Sequence, residues 1–340
     1  MSDIWYDRAP LCSRNALWNF CLGARGVGKT FDYKNWAIHK KEQTVWVRRN
    51  KVDIDDITAN DCFKFLSDLR ATGKLQDIEK FDEEGNSNIK LIDGSLCIDG
   101  YPKIFFVALS TSRRKKSNNY RDVDIMIFDE FLEKNQSDYL KGEMDIFLEL
   151  YETVNRLRLD TREVRVFFLA NAISFVNPYF SYFNILPFED RFKMFNNGLI
   201  CVENYRNEAF IDAKNKTKFG QLIKGTEYYN YAVQNEVWQD DNAFIVPRET
   251  DTVQVAVLHI KDYFLGVWVN DTGMWISRAH NRQSTIYGVK FACKGNEVPM
   301  RFTAFPLREI KELYMIGRLY FEDTAVKGLI FTLLQSETLR

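Results

Sequence analysis

The stretch Gly23-Ala-Arg-Gly-Val-Gly-Lys-Thr30 matches the phosphate-binding loop pattern G-x-x-x-x-G-K-[ST] at every position. It follows an apolar run, Leu17–Leu22, and precedes a helix-compatible stretch, Thr30–Lys41. A strand, a glycine-rich turn and a helix in this order let backbone N–H groups and the helix N-terminus face a phosphate. The pattern therefore predicts a nucleotide site made by eight consecutive residues: Gly23, Ala24, Arg25, Gly26, Val27, Gly28, Lys29 and Thr30.

A second motif, Asp124-Ile-Met-Ile-Phe-Asp-Glu130, contains four apolar residues followed by two acids. Apolar strands that end in acids are common, but after a phosphate-binding loop this one indicates the metal-binding strand of an ATPase. We expect Asp129 and Thr30 to hold Mg²⁺, and Lys29 to contact the β- and γ-phosphates of ATP. The adjacent Glu130 is expected to orient or deprotonate the attacking water, which predicts hydrolysis in addition to binding.

Two further apolar runs predict buried strands. Lys103–Leu109 lies between the two motifs in the chain, and Glu163–Ala170 ends at Asn171, which is placed to sense the γ-phosphate. An additional strand between the motifs is typical of the ASCE subclass of P-loop ATPases, which carry a catalytic glutamate. We therefore predict an α/β fold with a mostly parallel sheet. Residues 1–16 are expected to form an irregular segment near the nucleotide base.

Basic clusters occur at three places. A predicted helix over about 139–159 ends near Arg156 and Arg158, which indicates either a solvated helix end favoured by the dipole or an arginine finger for a neighbouring site. The loop 110–120 contains four adjacent cations, for which a solvated loop is the simplest interpretation. A third cluster, Arg48-Arg-Asn-Lys51, follows a predicted strand at the edge where ligands of open α/β sheets gather.

The composition is that of a packed globular chain, with 46% hydrophobic and 15% aromatic residues among 340. Because the net charge is −1, any nucleic-acid contact is expected in local basic patches. The six cysteines form no C-x-x-C pair, which disfavours structural zinc and indicates reduced thiols. The sequence shows no signal peptide and no apolar run long enough to span a bilayer, so we expect a cytoplasmic protein.

The sequence pattern changes after the ATPase motifs. We predict an ATPase domain at 1–205, a helical linker subdomain at 206–238 and an α+β domain at 239–340. The last domain is expected to contain a β-meander followed by helices. Its predicted strands are 243–247, Val253–Ile260, Tyr263–Asn270 and Met274–Arg278, and its predicted helices are 306–320 and 322–338.

Several short stretches, in order along nearly the whole chain, are similar to one known family. They are Leu22-Gly-Ala-Arg-Gly-Val-Gly-Lys-Thr30, Val47-Arg-Arg49, Lys116-Ser-Asn-Asn-Tyr120, Ile127-Phe-Asp-Glu-Phe131, Thr153-Val-Asn-Arg156, Asn171-Ala172, Val176-Asn-Pro-Tyr-Phe180, Gly225-Thr-Glu-Tyr228 and Gly266-Val-Trp-Val269. The chain resembles the DNA-packaging ATPases of small tailed bacteriophages of the phi-29 type. These stretches are denser in the N-terminal part than in the C-terminal part.

That family consists of ring motors, pentameric on the portal of a prohead, which use ATP to drive double-stranded DNA into a capsid. The resemblance implies ATP and Mg²⁺ as cofactors. It implies double-stranded DNA, further copies of the chain and the phage portal or connector as partners, with a packaging RNA as another candidate and no membrane. The implied location is the host cytoplasm, with transient attachment to the prohead.

The resemblance also implies roles for residues outside the two motifs. Arg156 occupies the T-V-x-R position of the arginine finger that acts on a neighbouring subunit, and Lys116 looks like a second cation offered across that interface. The segment after Arg156 is longer than the family pattern, which leaves Arg158 as an alternative finger. The candidate DNA contacts are the basic residues around the end of one strand: Arg48, Arg49 and Lys51.

The C-terminal domain of the family resembles an RNase H-like nuclease that has lost its activity. Two-metal hydrolysis needs clustered carboxylates, with one of them on the first central strand. The candidate first strand, Val253–Ile260, contains no acid, and Asp262 and Asp271 fall in predicted turns. His259 is expected to be a strand residue with a satisfied ring. We therefore predict an RNase H-like domain without nuclease activity, which docks the motor or engages DNA.

Three alternatives stay open. The chain can be a helicase or another DNA-dependent P-loop ATPase, which strand preference and unwinding assays would separate from a packaging motor. It can be a binding protein whose nucleotide only switches assembly, in which case Glu130→Gln would leave its function intact. It can also be a terminase with a working nuclease, which the acid-free strand disfavours.

Overall fold

The computed structural model of the chain divides into two compact units. The first unit is Met1–Ile173 with Phe188–Trp238, and the second is Ser174–Pro187 with Gln239–Arg340. The first unit thus includes the segment 206–238 that the sequence predicts as a separate linker. The structure describes residues 4–114, 120–133, 138–156, 163–171, 177–183, 185, 188, 190–233, 244–260, 262–289, 293–301 and 303–335.

The first unit contains a nine-stranded sheet in the order β3-β4-β5-β2-β6-β7-β1-β9-β8. The six central strands, β5-β2-β6-β7-β1-β9, pair in parallel. Antiparallel strands extend the sheet at both ends, β3 and β4 beyond β5 and β8 beyond β9. The strands are β1 (Trp18–Gly23), β2 (Gln43–Arg48), β3 (Ile89–Ile92), β4 (Ser95–Ile98), β5 (Tyr101–Ala108), β6 (Val123–Asp129), β7 (Arg165–Ala170), β8 (Phe192–Phe195) and β9 (Ile200–Tyr205).

Continuous apolar runs make the central strands. Every residue of β1 is buried, as are five of the six residues of β7. Strands of a parallel sheet that is covered on both faces are expected to have such continuous apolar sequences. The strand between β1 and β6 in space is β7, which supplies the additional strand of the predicted subclass. The strand predicted at Lys103–Leu109 is β5, which lies on the far side of β2, so the interpretation of that strand as the additional one was wrong.

Helices of the first unit follow several of these strands. The phosphate-binding motif opens α2, and Asn50 begins α3 by donating its amide to the Asp53 carboxylate at 3.2 Å. Asn50 and Asp53 thus form a capping box at the start of α3. The helices of this unit are α1 (Ala9–Cys12), α2 (Lys29–His39), α3 (Lys51–Ala71), α4 (Glu143–Asn155), α6 (Glu208–Asn215), α7 (Lys218–Ile223) and α8 (Glu227–Ala232).

The described residues of the second unit form a six-stranded mixed sheet and three helices. The meander β10–β11–β12 is antiparallel, while β13 pairs in parallel with β10 and β14 with β13, in the order β14-β13-β10-β11-β12-β15. This arrangement fits the predicted small α+β domain. The elements are α5 (Pro178–Phe183), β10 (Val253–Ile260), β11 (Tyr263–Val269), β12 (Met274–Ser277), β13 (Ile286–Gly288), β14 (Val298–Pro299), α9 (Leu307–Met315), β15 (Leu319–Phe321) and α10 (Thr324–Gln335).

Two predicted elements of the second unit differ from the structure. The helix predicted to end at residue 320 ends at Met315, because Gly317 adopts a positive φ of 72° and the chain then continues as β15. In place of the strand predicted at 243–247, the described residues show an isolated bridge between Ile245 and Phe321. The rest of that strand lies partly outside the described residues.

The prediction for His259 is confirmed. Its Nδ1 lies 2.8 Å from Oε1 of Glu297, and its ring stacks on Phe264 with 4.2 Å between ring centroids. The described part of the chain contains no group of three or more histidines, cysteines or acids able to hold a metal ion. The absence of nuclease activity stays a prediction. Within the described ranges, no helix is long and apolar enough to cross a membrane.

Candidate nucleotide-binding site

The glycine-rich loop joins β1 to α2 in a conformation that requires its glycines. Gly26 has a φ of 78°, and Gly28, which precedes the first turn of α2, has a φ of 100°. Side chains are rarely tolerated at such angles. Two hydrogen bonds fix the loop from outside, from the Tyr6 amide to the Val27 carbonyl at 2.9 Å and from the Arg25 amide to the Ala232 carbonyl at 3.0 Å. The loop is therefore held curled at the N-terminus of α2.

Lys29 places its ammonium group inside this loop. Its Nζ donates to the carbonyl oxygens of Gly23 at 2.6 Å and Ala24 at 3.0 Å, and to Oδ1 of Asn171 at 3.3 Å. Burial lowers the pKa of Lys29 to about 8. A buried cation beside the amides of a helix N-terminus is a site for a polyanion such as a nucleotide phosphate.

The predicted metal-binding pair is also assembled. The Thr30 hydroxyl donates to Oδ1 of Asp129 at 3.0 Å, and Asp129 is 3% exposed. Burial raises the pKa of Asp129, while the nearby Arg48 guanidinium acts in the opposite direction. A hydroxyl and a carboxylate beside a phosphate-binding loop are the oxygen ligands that Mg²⁺ takes in nucleotide sites. These two residues fit that ion.

Glu130 leaves the end of β6 in a strained conformation. Its φ is 60°, which is uncommon for a non-glycine residue, and its amide donates to the Leu169 carbonyl at 2.8 Å. The side chain is 73% exposed and forms an ion pair with Arg48, whose Nη2 also lies 3.4 Å from Oδ2 of Asp129. The two acids of the motif thus diverge, one into the interior and one toward solvent.

Arg49 is buried and holds the chain that follows β6. Its Nε and Nη2 donate to the two carboxylate oxygens of Glu143 at 2.8 and 2.9 Å, and Nη2 also donates to the Phe131 carbonyl at 2.6 Å. A further ion pair joins it to Glu133. Only 2% of the Arg49 side chain is exposed. This burial argues against the predicted DNA contact, which needs an accessible cation.

The other two candidate DNA contacts differ in exposure. The Arg48 side chain is mostly buried and paired with both acids of the second motif, which argues against a DNA contact. Lys51 begins α3, is half exposed and forms an ion pair with Asp55 one turn later. Lys51 is therefore the one of the three whose exposure suits a DNA contact, and that role stays a prediction.

A cavity of about 550 Å³ brings eight of the predicted site residues together. Arg156 lies elsewhere, directly after α4, where it is exposed and its Nε donates to the Thr153 carbonyl at 3.3 Å. Lys116 and Arg158 lie outside the described residues. The predicted residues that line the cavity are Arg25, Gly26, Gly28, Lys29, Thr30, Asp129, Glu130 and Asn171.

The contact between Arg48 and the two acids was not predicted from the sequence. A signal was present, since β2 and β6 are both apolar runs that end in charged residues. In the sheet these strands are parallel neighbours, with Val47 opposite Phe128. The parallel pairing of β2 with β6 places Arg48, the residue after Val47, beside Asp129, the residue after Phe128.

Comparison with known proteins gives consistent matches over the whole chain. The family model for the Podovirus DNA encapsidation protein (Gp16) matches residues 1–339. The DNA packaging protein of Bacillus phage phi29 is 30% identical over 343 residues, covering 97% of each chain. That of Bacillus phage B103 is 34% identical over 270 residues, or 78% of each chain.

A solved structure described as the bacteriophage Phi-29 viral genome packaging motor assembly has a TM-score of 0.69 to this chain. Its sequence is 28% identical, and the match covers 99% of this chain and 100% of that one. The Phi-28 gp11 DNA packaging motor, with a TM-score of 0.67 and 20% identity, shares the fold over 98% of this chain and 97% of its own. The predicted fold class and family resemblance are confirmed.

Replacing Arg49 should destabilise the first unit, because Arg49→Met leaves the Glu143 carboxylate buried without its cation. We expect the free energy of unfolding to fall by about 3–5 kcal/mol. Arg113→Met is the matched control, since Arg113 also binds a glutamate of α4 with two hydrogen bonds, but both partners are exposed. Urea denaturation followed by circular dichroism should show a large change for Arg49→Met and little for the control. Equal effects would contradict the anchoring role.

The lowered pKa of Lys29 predicts pH-dependent anion binding. Below pH 8 the ammonium is protonated in the ligand-free protein, whereas above pH 8 it loses its proton unless a bound anion retains it. Affinity for an anion should therefore fall as the pH rises through about 8. Sulfate without added metal is a suitable probe, because it does not titrate in this range.

The measurement is the rise in melting temperature with sulfate between pH 7 and 9.5, against sodium chloride at equal ionic strength. Wild-type protein should lose this stabilisation above pH 8, and Lys29→Met should lack it at every pH. Stabilisation by sulfate that is independent of pH would show that Lys29 remains charged throughout.

Proposed function

The chain belongs to the Podovirus DNA encapsidation protein (Gp16) family, and on that premise we propose that it hydrolyses ATP to drive double-stranded DNA into a preformed prohead. The observation that supports this proposal is the assembly, in one cavity, of a buried lysine, a hydroxyl–carboxylate pair and an exposed glutamate. Binding of a Mg²⁺-nucleotide needs only the first two of these. The glutamate beside the carboxylate adds a base for the attacking water.

Each residue has a defined task in this proposal. Lys29 and the loop amides bind the phosphates, and Thr30 and Asp129 hold Mg²⁺. Asn171 senses the γ-phosphate. Mg²⁺-ATP supplies the phosphoryl group and the charge neutralisation for its transfer to water. Glu130 accepts the proton of that water, for which its exposed carboxylate must turn from Arg48 toward the cavity.

We further propose that the active site is shared between subunits of a ring, with a pentamer as the expected size. The support is the position of Arg156, which is exposed at the end of α4 and does not line the cavity of its own chain. A neighbour's arginine at the γ-phosphate can be worth about 10³–10⁵ in rate. Lys116 and Arg158 remain candidates for the same interface.

The proposed partners follow from the same premise. Double-stranded DNA is gripped through its phosphates, so binding should not depend on base sequence and should weaken with salt. Lys51 is the candidate contact. The portal or connector, with a packaging RNA as a further candidate, holds the motor on the prohead in the host cytoplasm. The α+β domain, proposed to lack nuclease activity, docks the motor or engages DNA.

The decisive experiment measures ATP hydrolysis by the motor assembled on proheads, with and without double-stranded DNA. Wild-type protein should show DNA-stimulated turnover. Glu130→Gln should reduce turnover about 10²–10⁴-fold, because the water loses its base. Arg156→Ala should reduce it about 10³–10⁵-fold. Arg206→Ala, which removes another exposed arginine of the first unit, is the control and should leave turnover unchanged.

Mixing the two inactive variants tests whether the site is shared. An Arg156→Ala subunit keeps its loop and base, while a neighbouring Glu130→Gln subunit keeps its arginine, so some interfaces in a mixed ring are complete. Activity should then recover in the mixture. No recovery would show that Arg156 acts within its own chain or not at all, and Arg158→Ala should be tested in its place. A rate of ATP hydrolysis that is the same with and without DNA would contradict the proposed motor function.

A further inference from the structure

A short N-terminal strap, residues 4–8, is fixed along one side of the phosphate-binding loop. The Tyr6 amide donates to the Val27 carbonyl at 2.9 Å. Arg8 binds Asp32 in the first turn of α2 twice, through its amide at 3.0 Å and its Nη1 at 2.7 Å. The strap is thus tied both to the loop and to the helix that the loop opens.

The other side of the strap is tied to the end of β9. The Tyr6 ring is buried, and its hydroxyl donates to Oε2 of Glu203 at 2.9 Å, while Arg191 donates to Oε1 of the same carboxylate. The Tyr205 hydroxyl lies 3.4 Å from the Trp5 carbonyl. Contacts on both sides leave little freedom to the backbone at Trp5.

Trp5 is nevertheless 58% exposed. A Cβ built on Gly28 would lie 3.6 Å from Cε3 of the indole, so the ring lies directly against the loop. Phe210 is its aromatic neighbour, with 6.5 Å between ring centroids. Large aromatic side chains dominate burial and binding energies, so an indole held by a fixed backbone and open to solvent is a preformed contact surface.

The sheet order shows which part of a nucleotide would meet this surface. On one side of β1 lie β7 and β6, which carry Asn171 and the two acids to the γ-phosphate end of the cavity. On the other side lies β9, whose last residue, Tyr205, contacts the strap. A triphosphate with its γ-phosphate at Glu130 would extend along the loop, and its base would leave the loop on the side opposite the acids.

We propose that the Trp5 indole stacks on the nucleobase of the bound nucleotide. This inference rests on the proposed function, because it assumes a nucleotide in the loop. Stacking on an aromatic ring is worth a roughly 5- to 150-fold change in affinity per base, and it tolerates any base because every base has a π-face. The protein should therefore bind a nucleotide more tightly than a phosphate ligand that lacks a base. The gain in affinity should be larger for purine than for pyrimidine nucleotides, because purines have the larger ring system.

The test separates base binding from phosphate binding in the full-length protein. Dissociation constants for ATP and for base-free tripolyphosphate, both with Mg²⁺, are measured by calorimetry for wild type, Trp5→Ala and Trp5→Phe. Trp5→Ala should weaken ATP binding roughly 5- to 150-fold and leave tripolyphosphate unchanged. Trp5→Phe should keep most of the ATP affinity. It should also lose the part of the ATP-induced tryptophan fluorescence change that Trp5 contributes.

Phe81→Ala is the matched control, because Phe81 is a 65% exposed aromatic residue of the same unit that precedes the edge strand β3. It should bind both ligands as wild type does. Equal weakening of ATP and tripolyphosphate by Trp5→Ala would show that Trp5 only shapes the loop, and unchanged ATP binding would show no contact. Either result overturns the stacking role. Wild-type protein that binds neither ligand would instead overturn the proposed function.

Discussion

The candidate site depends on the parallel register of four neighbouring strands. β2, β6, β7 and β1 run side by side in one direction, so their carboxyl ends meet at one edge of the sheet. Arg48, Asp129, Asn171 and the phosphate-binding loop follow those ends. A one-residue slip of β6 would turn Asp129 to the opposite face of the sheet. The buried aromatic side chains of these strands are what fix the register.

The same edge concentrates charges that would be costly to bury singly. Lys29 is surrounded by loop carbonyls, Asp129 has Thr30 and Arg48, and Arg49 has Glu143 together with a backbone carbonyl. Each charge is thus matched by an opposite charge or a dipole. Lys29 differs from Arg49 in that its contacts are neutral, which is why burial lowers its pKa while its loop remains suited to an anion.

The sequence predicts those candidate site residues that lie at a fixed distance along the chain from an apolar strand or within a known motif. The loop, the Asp129–Glu130 pair and Asn171 each follow an apolar run directly, so a strand prediction also places these candidate site residues. Arg48 and Arg49 could not be separated in this way, because adjacent residues leave a strand on opposite sides and no pattern shows which side is buried. The last residues of the helix predicted at 306–320 form β15 instead for a related reason, since pairing with β12 decides that segment.

Arg48 and Arg49 bind different acids, and this difference has a structural consequence for the proposed shared site. Arg48 contacts the acids at the end of β6, while Arg49 joins the chain that follows them to Glu143, the first residue of α4. α4 has 13 residues and is therefore about 20 Å long, and Arg156 follows directly at its other end. A shift of the segment after Glu130 would reach Arg156 through a buried ion pair and a rigid helix. In the proposed ring, this is the arginine that we propose acts on the next subunit's nucleotide.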